Sequence, residues 1–212
     1  MNKETGSGKV GPALVIATGN NHKVEEIRAI LVPLLPELPA ERIVPMTDFQ
    51  VVSPLEDGET FEANAVLKAR AVAEATGLPA LADDSGLQVD IMGGAPGIFS
   101  ARWAGGHGDD RANLGLLLAQ LSDVPEAQRG AQFTCAAALA LPDGQVFTEL
   151  GEVRGKLLRE LRGTGGFGYD PAFVPDGFSQ TTAEMSAEEK NAISHRGRAL
   201  AALAPAIREV VL

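Results

Sequence analysis

Hydrophobic residues along this chain fall into two rhythms. Short, nearly unbroken apolar runs lie at 13–18 (Ala13-Leu-Val-Ile-Ala-Thr18), 42–46, 79–82 and 86–91, the pattern of strands buried on both faces. Between them the spacing changes to a helical one. From 22 to 31, Val24, Ile27, Ile30 and Leu31 share one face and Glu25, Glu26 and Arg28 the other, with Pro33 and Pro36 closing the pattern. Residues 59–76 predict a long helix, acidic in its first turn and followed by Gly77. A third helix is expected at 109–121. The runs 131–141 and 145–153 flank Pro142-Asp-Gly144 and predict a hairpin. Beyond a loop at 163–175, a capping-box pattern at Ser186-Ala-Glu-Glu189 and an amphipathic helix over 195–211 close the chain.

Alternating strands and helices with one hairpin predict an α/β fold: a mixed central β-sheet flanked by helices, with ligands bound at strand ends. Residues 1–11, polar and glycine-rich, read as a disordered extension, and 12–212 as a single domain with room for two lobes around a substrate cleft.

Composition narrows the function. A chain of 212 residues with 45% hydrophobic content builds its own core without a metal or disulfide. The single cysteine, Cys135, sits in an apolar run and reads as a small buried hydrophobe. No leader pattern and no apolar run of membrane length are present, so a cytoplasmic protein without a membrane partner is expected. A net charge of −10 repels the backbone of long nucleic acids. Any polyanion bound here is therefore small and held by a local cluster of cations.

Several segments carry candidate chemistry. Thr18-Gly-Asn-Asn-His-Lys23 joins a strand to a helix, where free N–H groups and the helix dipole favour an anion and Gly19 permits close approach. It lacks the Walker A spacing, and an ordinary polar turn is the bland alternative. Asn64 and Lys68 lie four residues apart on one helix face. Asp83-Asp-Ser-Gly86 reads as two carboxylates at a strand end, able to hold a hard cation such as Mg²⁺ and orient a water, or else as a solvated turn. Adjacent strand residues point opposite ways, so one of the pair faces the site. Glu56 and Asp57 are candidates for a second metal ligand. In 163–173, glycines surround Phe167, Tyr169 and Asp170, a composition suited to wrapping backbone around a stacked planar base. Lys190, His195 and Arg196 gather near a helix start, where cations ask for an anionic partner. Together these are the parts of a magnesium nucleotide site.

At these residues the chain resembles the inosine/xanthosine triphosphate pyrophosphatase family. The matching blocks are Thr18-Gly-Asn-Asn-His-Lys23, Thr60-Phe-Glu-Ala-Asn-Ala-Val-Leu-Lys-Ala69, Ala82-Asp-Asp-Ser-Gly-Leu87 and Gly93-Gly-Ala-Pro-Gly-Ile-Phe-Ser-Ala-Arg102, then Gly163-Thr-Gly-Gly-Phe-Gly-Tyr-Asp-Pro171 and Glu188-Glu-Lys-Asn-Ala-Ile-Ser-His-Arg-Gly197. Six blocks in the family's order, spanning about 13–212, are far more specific than any one alone. The resemblance implies an elongated α/β homodimer that uses Mg²⁺ to cut ITP, dITP and XTP between the α- and β-phosphates, cleansing the nucleotide pool.

Carried over by position, Thr18, Gly19, Asn20, Asn21, His22 and Lys23 bind the triphosphate, Lys68 supports it and Ser85 touches the substrate. Asp84 accepts a proton and binds metal, with Glu56 as the second metal ligand. Phe167, Gly168, Tyr169 and Asp170, with Lys190, His195 and Arg196, hold the base and sugar. A pyrophosphatase of pyrimidine nucleotides, a non-hydrolysing nucleotide sensor and a nucleic-acid-binding module are the competing readings. The full carboxylate set argues against the sensor and the acidic charge against the last.

Overall fold

The computed structural model describes residues 11–212, so the extension expected at 1–11 lies, Gly11 apart, outside the described residues. One six-stranded sheet runs in the order β2-β1-β3-β4-β5-β6. Its strands are β1 (Leu14–Ile16), β2 (Ile43–Pro45), β3 (Ala80–Val89), β4 (Gly130–Ala140), β5 (Val146–Leu157) and β6 (Phe173–Pro175). β1 is parallel to β2 and β3, while the ladders from β3 through β6 are antiparallel. The helices are α1 (Asn21–Leu34), α2 (Phe61–Thr76), α3 (Asp110–Gln120), α4 (Ala187–Ile193) and α5 (His195–Val211). The expected α/β fold with a mixed central sheet is what forms.

Side-chain alternation distributes the core. In β3 and β4, Leu81, Cys135, Ala137 and Leu139 face α1 and α5, packing with Ile27, Leu31, Leu200 and Leu203. Ala80, Ala82, Ala136, Ala138 and Ala140 face the other way and pack with Ala65, Ala69 and Val72 of α2. Alanine on alanine lets α2 lie close to the sheet. A third cluster, around Leu87, Leu117, Phe133, Val153 and Phe173, fills the far end beneath α3.

Local chemistry sets the helix ends. Asn20 caps α1, its side chain accepting from the His22 and Lys23 N–H groups, and Thr60 caps α2 through Ala63 N. Gly77 ends α2 in the left-handed conformation. The capping box predicted at Ser186 and Glu189 forms and starts α4. Ser194 ends α4 and caps α5 through Gly197 N. The start of α5 lies hard against β5 at Gly151, where a Cβ would stand 2.1 Å from the His195 carbonyl oxygen. That close approach brings His195 and Arg196 down onto the sheet.

Three expectations are corrected. Residues 79–82 and 86–91 are not separate strands: β3 is continuous, and Asp83, Asp84 and Ser85 lie within it, paired with Ala137, Ala136 and Cys135. Ladder pairing with an apolar neighbour overrides the turn-like composition of Asp-Asp-Ser-Gly. Helix α1 passes through Pro33 to Leu34. Proline costs up to about 3 kcal/mol inside a helix and less in its last turn, whereas burying Leu31, Leu35 and Leu38 contributes about 1.5–3 kcal/mol each. The expected loop at 163–175 ends in a helical turn, Asp170–Ala172, and a sixth strand, Phe173–Pro175.

Candidate active site

The site follows from a mismatch in strand length. β1 pairs with β3 only at Ala80 and Leu81, and its last link is Ala17 N to Leu81 O at 2.7 Å. β3 runs on alone on that edge until Ser100 Oγ accepts from Leu87 N at 2.9 Å. Asp83 to Gly86 lie in the gap. A cleft of about 530 Å³ opens there, lined on one side by Thr18, Gly19, Asn20, Lys23, Glu56 and Lys68. Phe167, Gly168, Tyr169, Lys190, His195 and Arg196 line the other side, with Asp84 and Ser85 between.

Alternation along β3 sends the two aspartates to opposite faces. Asp84 points toward α2: its Oδ1 accepts from Lys68 Nζ and its Oδ2 from Asn64 Nδ2, both at 3.2 Å. Lys68 Nζ also meets Glu56 Oε1 at 2.7 Å, so one ammonium joins two carboxylates. Those carboxylates shift in opposite directions. Burial raises the Asp84 pKa, and Lys68 and Lys23 only partly offset it, with Glu56 and Asp83 adding to the rise. Burial acts on Glu56 as well, but there Lys68 wins and the pKa falls. Burial works against the Lys68 charge, yet Asp84, Asp83 and Glu56 together raise its pKa and keep it cationic.

Asp83 points toward α1 and α5. Its Oδ2 accepts from Arg196 Nη2 at 2.8 Å and Nε at 3.1 Å, and from Ser85 Oγ at 3.2 Å, with Lys23 Nζ also 3.2 Å away. Its Oδ1 is buried with no hydrogen-bond partner among the described residues. Burial alone would raise this carboxyl, but Arg196, Lys23 and Lys68 hold it far below the usual carboxylate range. Arg196 also donates through Nη1 to Glu26 and through Nη2 to Ser85. Of the five N–H donors of a guanidinium, the four bonds to Asp83, Ser85 and Glu26 leave one. Lys190 Nζ bridges Glu26 at 2.9 Å and Asp170 at 2.8 Å.

At the other end of the cleft Lys190 Nζ lies 4.9 Å and Arg196 Cζ 5.8 Å from the centre of the Phe167 ring, cation–π contacts that hold the ring in place. The Phe167 N–H donates to Asp170 Oδ2 and the Gly168 N–H to Asp110 Oδ2. Tyr169 lines the cleft as well. It is buried, and its hydroxyl donates to Ser100 O at 2.8 Å, which makes it a strut beneath the cleft.

A family model described as the Ham1 family matches residues 14–206. The chain belongs to the Ham1 family. A protein of Streptomyces avermitilis named dITP/XTP pyrophosphatase is 58% identical over 200 residues, 93% of this chain and 98% of that relative. One of the same name from Streptomyces coelicolor is 56% identical over 198 residues, with the same coverage. Among solved structures, a HAM1 protein from Coxiella burnetii superposes with a TM-score of 0.82 at 40% identity, covering 93% of this chain and 98% of its own. A nucleoside-triphosphatase / dITP/XTP pyrophosphatase from Mycobacterium abscessus gives 0.72 at 47% identity, covering 91% and 98%.

Within this Ham1 chain, two residues expected at the triphosphate stand apart from the cleft lining: Asn21 and His22. Asn21 is the exposed first residue of α1, and His22 stacks toward Phe167, with ring centres 6.3 Å apart. Sequence reasoning missed Glu26, which joins Lys190 to Arg196. Its one signal is spacing, since it lies three and four residues beyond Lys23 and His22 on the same helix face. It also missed Ser100, His107 and Asp110, which enter the cleft from the 97–110 segment. Cys135 is buried as expected, and burial pushes its thiol to about 12, so it stays an inert thiol.

His195 gives this Ham1 fold a pH dependence. Its ring is buried face to face with Phe133, centres 4.8 Å apart, and burial with Arg196 and Lys190 holds its pKa well below the ordinary value near 6.5. The unfolded chain therefore takes up a proton that the native ring refuses, so stability falls as pH drops below the unfolded value, by up to about 1.4 kcal/mol per unit. Urea midpoints measured between pH 7.5 and 5.5 should show this slope in the wild type, reduced in His195→Asn.

Proposed function

We infer that this Ham1 chain hydrolyses dITP, XTP and ITP to the monophosphate and pyrophosphate, removing non-standard purine nucleotides from the pool. The observation that carries the reading is the division of the cleft. Lys23, Lys68 and the carboxylates of Glu56 and Asp84 form a polar end suited to a triphosphate. The Phe167 ring and the buried His195 form an end suited to a planar base.

Asp84 has the attributes of a general base for water attack in line with the α-phosphorus. Both its oxygens are oriented, by Lys68 and Asn64, and its pKa is raised by burial toward a more basic carboxylate. Lys68, kept cationic, neutralises charge gathering on the pyrophosphate leaving group, and Lys23, whose charge also acts on Asp84 and Glu56, adds to it.

Among the described residues no three acidic, histidine or cysteine side chains converge as a ready metal cage. Glu56 and Asp84, bridged by Lys68, supply two hard carboxylates, which fits Mg²⁺ when substrate phosphates and water complete its shell. These two would hold it, and it would supply further charge neutralisation at the phosphates.

Selection of a 6-oxo purine needs a donor aimed at the base oxygen. The Phe167 and Gly168 N–H groups are already committed to Asp170 and Asp110. The remaining N–H of Arg196 and the His195 ring are the donors in this reading, and an exocyclic amine in place of the oxygen would leave them unpaired.

A single domain over 12–212, assembled as a cytoplasmic homodimer, completes the reading on the strength of the family resemblance. Among the described residues no helix is long and apolar enough to cross a membrane. Products from dITP and XTP, followed by phosphorus NMR with Mg²⁺ and with a chelator, test the chemistry. Monophosphate and pyrophosphate formed only with metal are expected, and orthophosphate with a diphosphate would contradict the cleavage site.

A further inference from the structure

The segment that carries Phe167 is held partly by its own hydrogen bonds, Phe167 N–H to Asp170 Oδ2 and Asp170 N–H to Phe167 O, and partly from outside. Gly166 and Gly168, on either side of it, sit at φ of +68° and +62°. Glycine reaches that region readily but loses the most freedom when fixed there. Two of the outside ties reach the same neighbouring segment. Tyr169 Oη donates to Ser100 O in a buried contact, and Gly168 N donates to Asp110 Oδ2 at 2.8 Å in an exposed one.

Asp110 opens α3 and lines the cleft, yet it is not needed to start the helix, because Asp109 accepts from Ala112 N at 2.9 Å and forms the cap. The segment before it is anchored from α3 by Asn113, which accepts from Ala104 N at 2.7 Å and donates to Ala101 O at 3.2 Å. The Asp110 carboxylate thus projects from an anchored framework to the backbone next to the Phe167 ring.

We propose that Asp110 is a positioning residue for base binding: by holding the Gly168 N–H it fixes the Phe167 ring at the base end of the cleft. The proposal rests on the functional reading above and deepens it. In this proposal Asp110 acts through the Gly168 N–H, so its contribution falls on substrate affinity. Without it the tie at Gly168 is lost while those at Phe167 and Tyr169 remain, so the ring is held less closely and part of its ordering falls to the binding of a base.

The test is steady-state kinetics of the full chain with XTP and dITP. Asp110→Ala should raise KM about three- to tenfold, the scale of one partly screened charge-assisted hydrogen bond, with kcat and the thermal unfolding midpoint unchanged. Asp110→Asn, which keeps an acceptor oxygen, should restore most of the affinity. An unchanged KM in Asp110→Ala, a kcat loss equal to the rise in KM, or no recovery in Asp110→Asn would overturn the positioning role. Failure of the wild type itself to cut either nucleotide would instead bring down the functional reading on which the proposal rests.

Discussion

Asp84→Asn is expected to lower kcat by about 10²-fold or more, the scale on which a general base contributes, while the protein stays folded. Asparagine preserves shape and one acceptor oxygen, but it cannot take a proton, and it leaves Lys68 with Glu56 as its one remaining carboxylate partner. The wild-type pH profile supplies an independent check. Because burial raises the Asp84 pKa, activity should fall with decreasing pH at values above the ordinary aspartate range, as the carboxylate gains its proton. That acid limb should vanish from the residual activity of the variant. Near-native turnover in Asp84→Asn would remove it from the role.

The second large effect concerns folding. Arg196→Ala should cost about 3–5 kcal/mol, read from denaturant midpoints, because it strips the main partner from a carboxylate buried in the sheet. Asp83 would keep only weaker contacts: among the described residues its Oδ1 is unpartnered, and its Oδ2 retains Lys23 and the Ser85 hydroxyl. Adding Asp83→Asn should recover part of the loss, since the stranded charge is then gone. The sign with pH is fixed by the depressed Asp83 pKa. The stability it contributes is present above the unfolded carboxyl value near 4 and is lost as pH falls through the lower native value, so wild type and variant should converge in acid. A cost below about 1 kcal/mol would mean that the pair is screened like a surface salt bridge.

Elements governed by local rules were legible in the sequence. The span 195–211 is helix α5 itself, and Ser186 and Glu189 form the box their spacing predicted. The statement that only one of two adjacent aspartates faces the site also follows from strand geometry, and Asp84 lines the cleft while Asp83 turns to Arg196. Features that depend on distant partners were not legible. Asp-Asp-Ser-Gly has the composition of a turn, and only pairing with Ala137, Ala136 and Cys135, about fifty residues away, makes it mid-strand. The partner of the Tyr169 hydroxyl is Ser100, 69 residues earlier, which nothing in its own glycine-rich loop points to. Glu26 reads as one charge on a solvated helix face until Lys190 and Arg196, from the other end of the chain, converge on it.

Substrate choice is the central claim, and kcat/KM for pyrophosphate release tests it most directly, measured in parallel for dITP, XTP, dATP, dGTP and dTTP with Mg²⁺. One unpaired buried donor costs about 1–3 kcal/mol, so dITP and XTP should exceed dATP and dTTP by about tenfold to a hundredfold or more. Equal cleavage of all five would contradict base reading by Arg196 and His195 and leave only an unselective triphosphate site.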